Sequence, residues 1–290
     1  MPRFDTPEPI SVTVELGVGD IRIVASDRTD TIVEVRPSDD AKKSDVGAAQ
    51  QARVEYDSGR LLVKAPKGWK RYTPRGGGES IAVQIDLPAG SHVQAGAGVV
   101  AFHATGRLGE CHVRTGVGEI HVDQAGGPVD LKTGFGDITI GQADGDARIT
   151  TGSGGVRVGT IEGTGVVKNA NGDTWIDEVM GDLRVNAANG KIVVDRAHAA
   201  VAARTANGDI RIGEVRRGAV LAETALGKVD VGICEGVTAW LDLHTSFGNV
   251  HSDLDAAKSP DAGADAVEVR ARSAFGDITI RHAATPRATR

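Results

Sequence analysis

Six acids follow a turn glycine at recurring places in the chain: Asp20, Glu119, Asp137, Asp173, Asp209 and Asp277. Carboxylates stacked about 5 Å apart could hold a hard cation such as Ca²⁺, which takes several oxygen ligands. The column is broken, however, by Gly155, Lys191, Lys228 and Asn249, and the nonapeptide calcium pattern of parallel β-rolls is absent. Asp, Asn and Lys at such a place suit a solvated turn in which mixed signs relieve repulsion, so no metal is expected. The eight histidines, among them His112, His121, His244 and His251, show no HExxH pairing, and most alternate outward along strands. Ser153, in Gly152-Ser153-Gly154, lacks the spacing of a nucleophile elbow. Catalytic residues, a cofactor and a small-molecule substrate are therefore not expected, and the chain reads as non-enzymatic. A β-helix enzyme acting on envelope polysaccharide is the remote alternative. It would need long loops carrying aromatic residues, whereas Trp69, Trp175 and Trp240 stand in unrelated positions.

The elements that must carry these residues are set by a period. Gly118, Gly136, Gly154, Gly172, Gly190 and Gly208 are spaced by eighteen residues, each starting a turn that leads into alternating apolar residues such as Ile138/Ile140, Ile192/Val194 and Ile210/Ile212. A repeat too short to bury its own apolar face must stack on copies of itself. The fold expected is all-β: a single-stranded parallel β-solenoid, or β-helix, of about nine or ten coils, with an irregular β cap at the N-terminus. Stacking lines up equivalent side chains in ladders. Thr115, Thr133, Thr151, Thr205, Thr224 and Thr245 share one register, with Asn169, Ala187 and Ser273 at the same place. Asn171, Asn189 and Asn207 form a second ladder directly before the glycine, where asparagine tolerates a left-handed backbone and amides can bond from coil to coil. Phe135, Phe247 and Phe275 fall at that same position and are candidate surface contacts, with packing over the turn as the alternative.

The chain has 290 residues, abundant glycine (39), few aromatics (3%) and a net charge of -6. Basic residues are scattered among acids, which argues against a nucleic-acid partner. No apolar run is long enough for a signal peptide or a membrane span, so a cytoplasmic location is expected, with peripheral contact to membrane proteins left open. The two cysteines, Cys111 and Cys234, lack a CxxC partner and read as buried small residues. Residues 1–90 read as a cap region holding a divergent first coil plus added strands, 91–282 as the solenoid repeats and 283–290 as a disordered tail. Within the cap, residues 43–51 suit either a short helix or a polar loop, and Asp57-Ser58-Gly59 suits a hairpin turn. The stretch 68–78 and the insertion 256–266 read as loops.

The opening Phe4-Asp-Thr-Pro-Glu-Pro-Ile-Ser-Val, the step Leu87-Pro-Ala-Gly-Ser91 and the recurring Thr-Gly-x-Gly-Asp-Ile of residues 133–138 resemble a bacterial β-strand-repeat family. Its members are called "putative adhesins", or the toast-rack domain. The resemblance covers nearly the whole chain and implies a non-enzymatic solenoid, linked in some members to cell-envelope stress systems beside membrane proteins. It offers no catalytic residues to carry over. The leading expectation is thus a binding or scaffold module whose partner is a protein. The alternative is self-association, with end-to-end stacking into filaments.

Overall fold

A computed structural model describes residues 1–65, 79–254 and 266–283. The loops expected at 68–78 and 256–265 and the tail from 284 lie outside the described residues. Among the described residues all regular structure is β apart from one helix, Lys43–Gln51. The chain groups into two compact units, Met1–Gly145 with Ile149–Gly152, and Asp146–Arg148 with Ser153–Arg290.

In the first unit, the long strand Ser11–Ser26 runs parallel to His92–Leu108, from Ser11 opposite His92 to Val24 opposite Thr105. Its other edge pairs in parallel with Arg60–Lys64 and Ile81–Pro88. These are covered by antiparallel strands: Arg53–Asp57 on Arg60–Lys64, Asp30–Pro37 on Ile81–Pro88, and Arg3–Asp5 on Asp30–Pro37. The turn at Ser58-Gly59 has φ of 47° and 78° at its two residues, the left-handed pair a two-residue hairpin requires. The helix Lys43–Gln51 is anchored by Asp45, buried, which accepts from the Ser80 backbone N–H at 3.2 Å and faces Lys42 Nζ at 3.2 Å. From Cys111 onward the coils become regular. Val129 pairs with Cys111 and Ile138 with Ile120, each an eighteen-residue step.

The second unit continues the same scheme. Strands Gly165–Asn171, Leu183–Asn189, Val201–Asn207 and Gly218–Leu226 stack in parallel on one side of the coil. Val156–Ile161, Thr174–Val179, Ile192–Ala197, Ile210–Val215 and Val229–Ile233 stack on another. Inside each coil the alternating residues close a dry interior. Val201, Ala203, Ile210, Ile212 and a third inward residue, Val215, are all buried, as are their counterparts in neighbouring coils. The architecture is therefore a parallel β-solenoid, the fold that the eighteen-residue period predicts.

Spatial order departs from chain order at the C-terminal end. Gly218–Leu226 pairs with Ala266–Phe275, and Thr238–Phe247 lies on the far side of that strand. Likewise Ile278–His282 sits between Val229–Ile233 and Val250–Ser252. The last coil in sequence is inserted, and the coil before it is the outermost.

Candidate protein-binding ridge

The first strands end in an inward hydroxyl, replaced in two coils by Asn169 and Ala187, then a small residue, an outward side chain and the turn glycine. From Gly118 to Gly276 these glycines have φ between 132° and 159°, inside the region L side chains avoid. A Cβ at Gly136, Gly172, Gly190, Gly208, Gly227, Gly248 or Gly276 would stand 2.0–2.2 Å from the carbonyl oxygen of the glycine one coil away. The period is thus set by a contact only glycine permits. The Asn171, Asn189 and Asn207 backbones do not adopt the left-handed region; the glycine after each of them takes the positive φ instead. Among the described residues, Ser58 is the one non-glycine with positive φ.

The threonine ladder answers the glycines. Their carbonyls turn inward, where water is excluded, so each needs a donor. Thr133 Oγ1 donates to Gly118 O, Thr151 to Gly136 O, Thr205 to Gly190 O, Thr224 to Gly208 O, Ser273 to Gly227 O and Thr245 to Gly276 O, at 2.9–3.4 Å. Thr115, at the irregular start, donates to Val117 O at 3.0 Å. Asn169 Nδ2 reaches both Gly154 O and Gly172 O, at 3.1 and 2.8 Å, which is why Ala187 suffices one coil later. Its Oδ1 is the one buried side-chain acceptor without a partner among the described residues.

In the second unit the acids after the glycine are backbone caps. Asp173 Oδ1 accepts from Lys191 N–H at 2.8 Å, Asp209 from Lys228 N–H at 2.9 Å, and Asp277 from Asn249 N–H at 3.0 Å. In spatial order the residues of that unit read Asp173, Lys191, Asp209, Lys228, Asp277, Asn249, so the interruptions there are an alternation in which each acid is followed by a non-acid. No group of three His, Cys, Asp or Glu placed to hold a metal occurs among the described residues. Cys111 is buried and its thiol is pushed up to about 12 by burial. Cys234 is only half-buried, a correction to its expected burial; desolvation first, then its bond to Glu214 Oε1 at 2.9 Å, raises its pKa. Neither thiol ionises at neutral pH.

The residue just before the glycine points to solvent and forms a ridge. In the first unit Val117 and Phe135 are in register and exposed, as is Val99 one coil earlier, where Val100 stands in place of the glycine. In the second, Asn171, Asn189 and Asn207 are followed by Leu226, Phe275 and Phe247. Asn189 Nδ2 donates to Asn171 Oδ1 at 2.9 Å, an amide bond from coil to coil. Phe135, Phe247 and Phe275 are 63%, 66% and 52% exposed. They do not fold down over their turns. The rings of Phe247 and Phe275 stack with centroids 4.8 Å apart and planes within 6°. Beside Leu226 and this pair runs an open groove of about 370 Å³ lined by Ala225, Ala274 and Ser246 and by Arg204, Glu223 and Arg272. Arg204 and Glu223 are paired at 2.8 Å. Exposure of the aliphatic residues Val99, Val117 and Leu226 gave no signal in sequence, because a valine or leucine next to a strand reads as core.

A family model, Toastrack DUF4097, matches residues 10–281. The chain belongs to the Toastrack family. Solved structures similar to this Toastrack chain include a "putative adhesin" from Bacteroides fragilis, with 15% identity over 97% of this chain and 95% of the other and a TM-score of 0.32. A second, a "putative adhesin" from Parabacteroides merdae, shares 13% identity over 80% and 94%, with a TM-score of 0.41. A third, a "putative cell adhesion protein" from Clostridium sporogenes, shares 12% over 97% and 98%, with a TM-score of 0.22. No curated protein matches the chain. No described helix is long and apolar enough to cross a membrane.

Proposed function

We propose that this Toastrack protein is a non-enzymatic binding module that holds a protein partner along the apolar part of its ridge. The observation that carries this reading is the stacked, exposed pair Phe247 and Phe275 in line with Leu226. Soluble proteins seldom expose contiguous large apolar side chains without covering them at work, and aromatic residues are enriched where interfaces form. A parallel ladder fixes the two rings on neighbouring strands, so little side-chain entropy remains to be lost on binding. The groove alongside offers a small-residue floor with Arg204, Glu223 and Arg272 at its rim, the arginines paired with Glu223 and Asp242, a shape that accepts an extended segment carrying apolar side chains.

The test is site-specific photocrosslinking in the native cell. A photoreactive residue at position 247 or 275 is expected to give one discrete adduct, and the same label at Asn189 none. Leu226→Ala should reduce the adduct at 275 several-fold. Adducts that are identical at 189 and 275, or insensitive to Leu226, would contradict a ridge that selects a partner.

A further inference from the structure

The outermost coil of the second unit, 238–252, has an unfinished edge. Among the described residues, Thr238–Phe247 pairs with Ala266–Phe275 alone, and Val250–Ser252 with Ile278–His282 alone, so their other edges carry unpaired N–H and C=O groups. The interior is open there too. Leu241 is 38% and Val250 47% exposed, whereas the residues in register with them one coil inward, Val269 and Ile278, are 0% exposed. A surface made of a whole coil cross-section, with apolar residues between two free strand edges, is complemented by another surface of the same construction.

The first unit supplies no such partner, since its outermost parallel strands are covered by the antiparallel strands Arg53–Asp57 and Asp30–Pro37 and by the helix Lys43–Gln51. Head-to-tail growth therefore has no open coil to receive this edge. The same edge on a second copy remains. Two copies joined there by a two-fold axis would pair Thr238–Phe247 with itself in antiparallel sense. Side chains alternate in facing, so interior must meet interior and the axis must pass through a residue position. Hydrogen-bonding partners select which one. An axis at Asp242 opposes two carboxylates, and one at His244 opposes two imidazoles. An axis at Leu243 opposes Leu243 to Leu243 and Asp242 to His244 twice, the one register of the three that sets an imidazole N–H against a carboxylate acceptor.

We infer that the chain forms a closed head-to-head dimer in which Thr238–Phe247 pairs antiparallel with its copy about Leu243. An isologous contact of this kind ends in a dimer and not in a filament. It rests on the coil edge and not on the ridge, so each stands if the other fails.

Sedimentation of the full chain over a wide concentration range tests it. The expected result is reversible monomer–dimer equilibrium with no larger species. Leu243→Lys places two like charges on the axis and should abolish the dimer. The exposed Asp242→Lys, which leaves the interior untouched, should weaken it by about tenfold or more, whereas Arg272→Ala, which removes only the 3.4 Å ion pair of Asp242 within one copy, should leave the dimer intact. The exchange Asp242→His with His244→Asp should restore it. Circular dichroism checks that each variant is folded; if Leu243→Lys is not, Asp242→Lys and the exchange decide. A monomer at every concentration, growth beyond the dimer, or a dimer indifferent to Asp242→Lys would overturn the inference.

Discussion

Thr133 shows what one side chain contributes to this fold. Its Oγ1 lies 3.0 Å from the Gly118 carbonyl of the preceding coil, in an interior closed to solvent. Thr133→Val keeps the shape and removes the donor, and leaving the carbonyl unpaired should cost about 1–3 kcal/mol. Equilibrium denaturation would show this as a lower midpoint at unchanged slope. Asn169 offers the reverse experiment, since it satisfies two glycine carbonyls at the expense of a buried, unpartnered Oδ1. Asn169→Thr with Ala187→Thr restores one hydroxyl per coil and should stabilise by about 1 kcal/mol; no gain would mean that the ladder is not additive. The glycine and threonine spacings were legible because identical environments recur every coil and demand the same residue. Their purpose was not, because the bonded partners lie fifteen or more residues apart and the carbonyl direction depends on a glycine φ that no residue name records.

Between strands, charge is arranged by the same register. Glu178, Arg196 and Glu214 occupy successive places on Thr174–Val179, Ile192–Ala197 and Ile210–Val215. Glu178 accepts from Arg196 at 2.9 Å and lies 2.8 Å from His198 Nε2, and these bonds, Arg196 first, lower its pKa from 4.5 to about 2. The folded state thus takes up the Glu178 proton less readily than the unfolded chain does. Stability from this group is complete above about pH 4.5 and is lost as pH falls toward 2. Comparing wild type with Glu178→Gln by denaturant titration should give a gap that is full near neutrality, narrows across that window and closes below it; a gap independent of pH would contradict the assignment. The inversion of the last two coils belongs to this scale and was not legible. Ala266–Phe275 and Thr238–Phe247 carry the same alternation and the same hydroxyl-to-glycine ending, so either could follow Gly218–Leu226. The carboxylate caps record the order that is realised, with Asp277 bonding to Asn249 and not the reverse. The ridge was half legible. Phenylalanine at the position before glycine was conspicuous in a chain with few aromatics, whereas Val99, Val117 and Leu226 stayed hidden among core-like residues.

For the molecule as a whole, the claim on which ridge, edge and ladders depend is that each eighteen-residue unit is interchangeable with its neighbours, since every coil touches only the coils beside it. Removal of one complete unit tests this directly. Deleting residues 172–189 joins Asn171 to Gly190, keeps the small-outward-glycine order at the turn and leaves Asn169 able to cap both Gly154 and Gly190. Deleting residues 177–193, one fewer and cut inside a strand, leaves a surplus residue that no turn can absorb, as the turns of the nineteen-residue step from Val201 to Val220 do, and puts Arg196 in the inward place of Val179. Thermal unfolding followed by circular dichroism in the far ultraviolet should show the eighteen-residue deletion folded and cooperative, with the β signal per residue of the full chain, and the seventeen-residue deletion unfolded or aggregated. If the two deletions behave alike, whether both fold or both fail, stacked equivalent coils are not what holds this protein together.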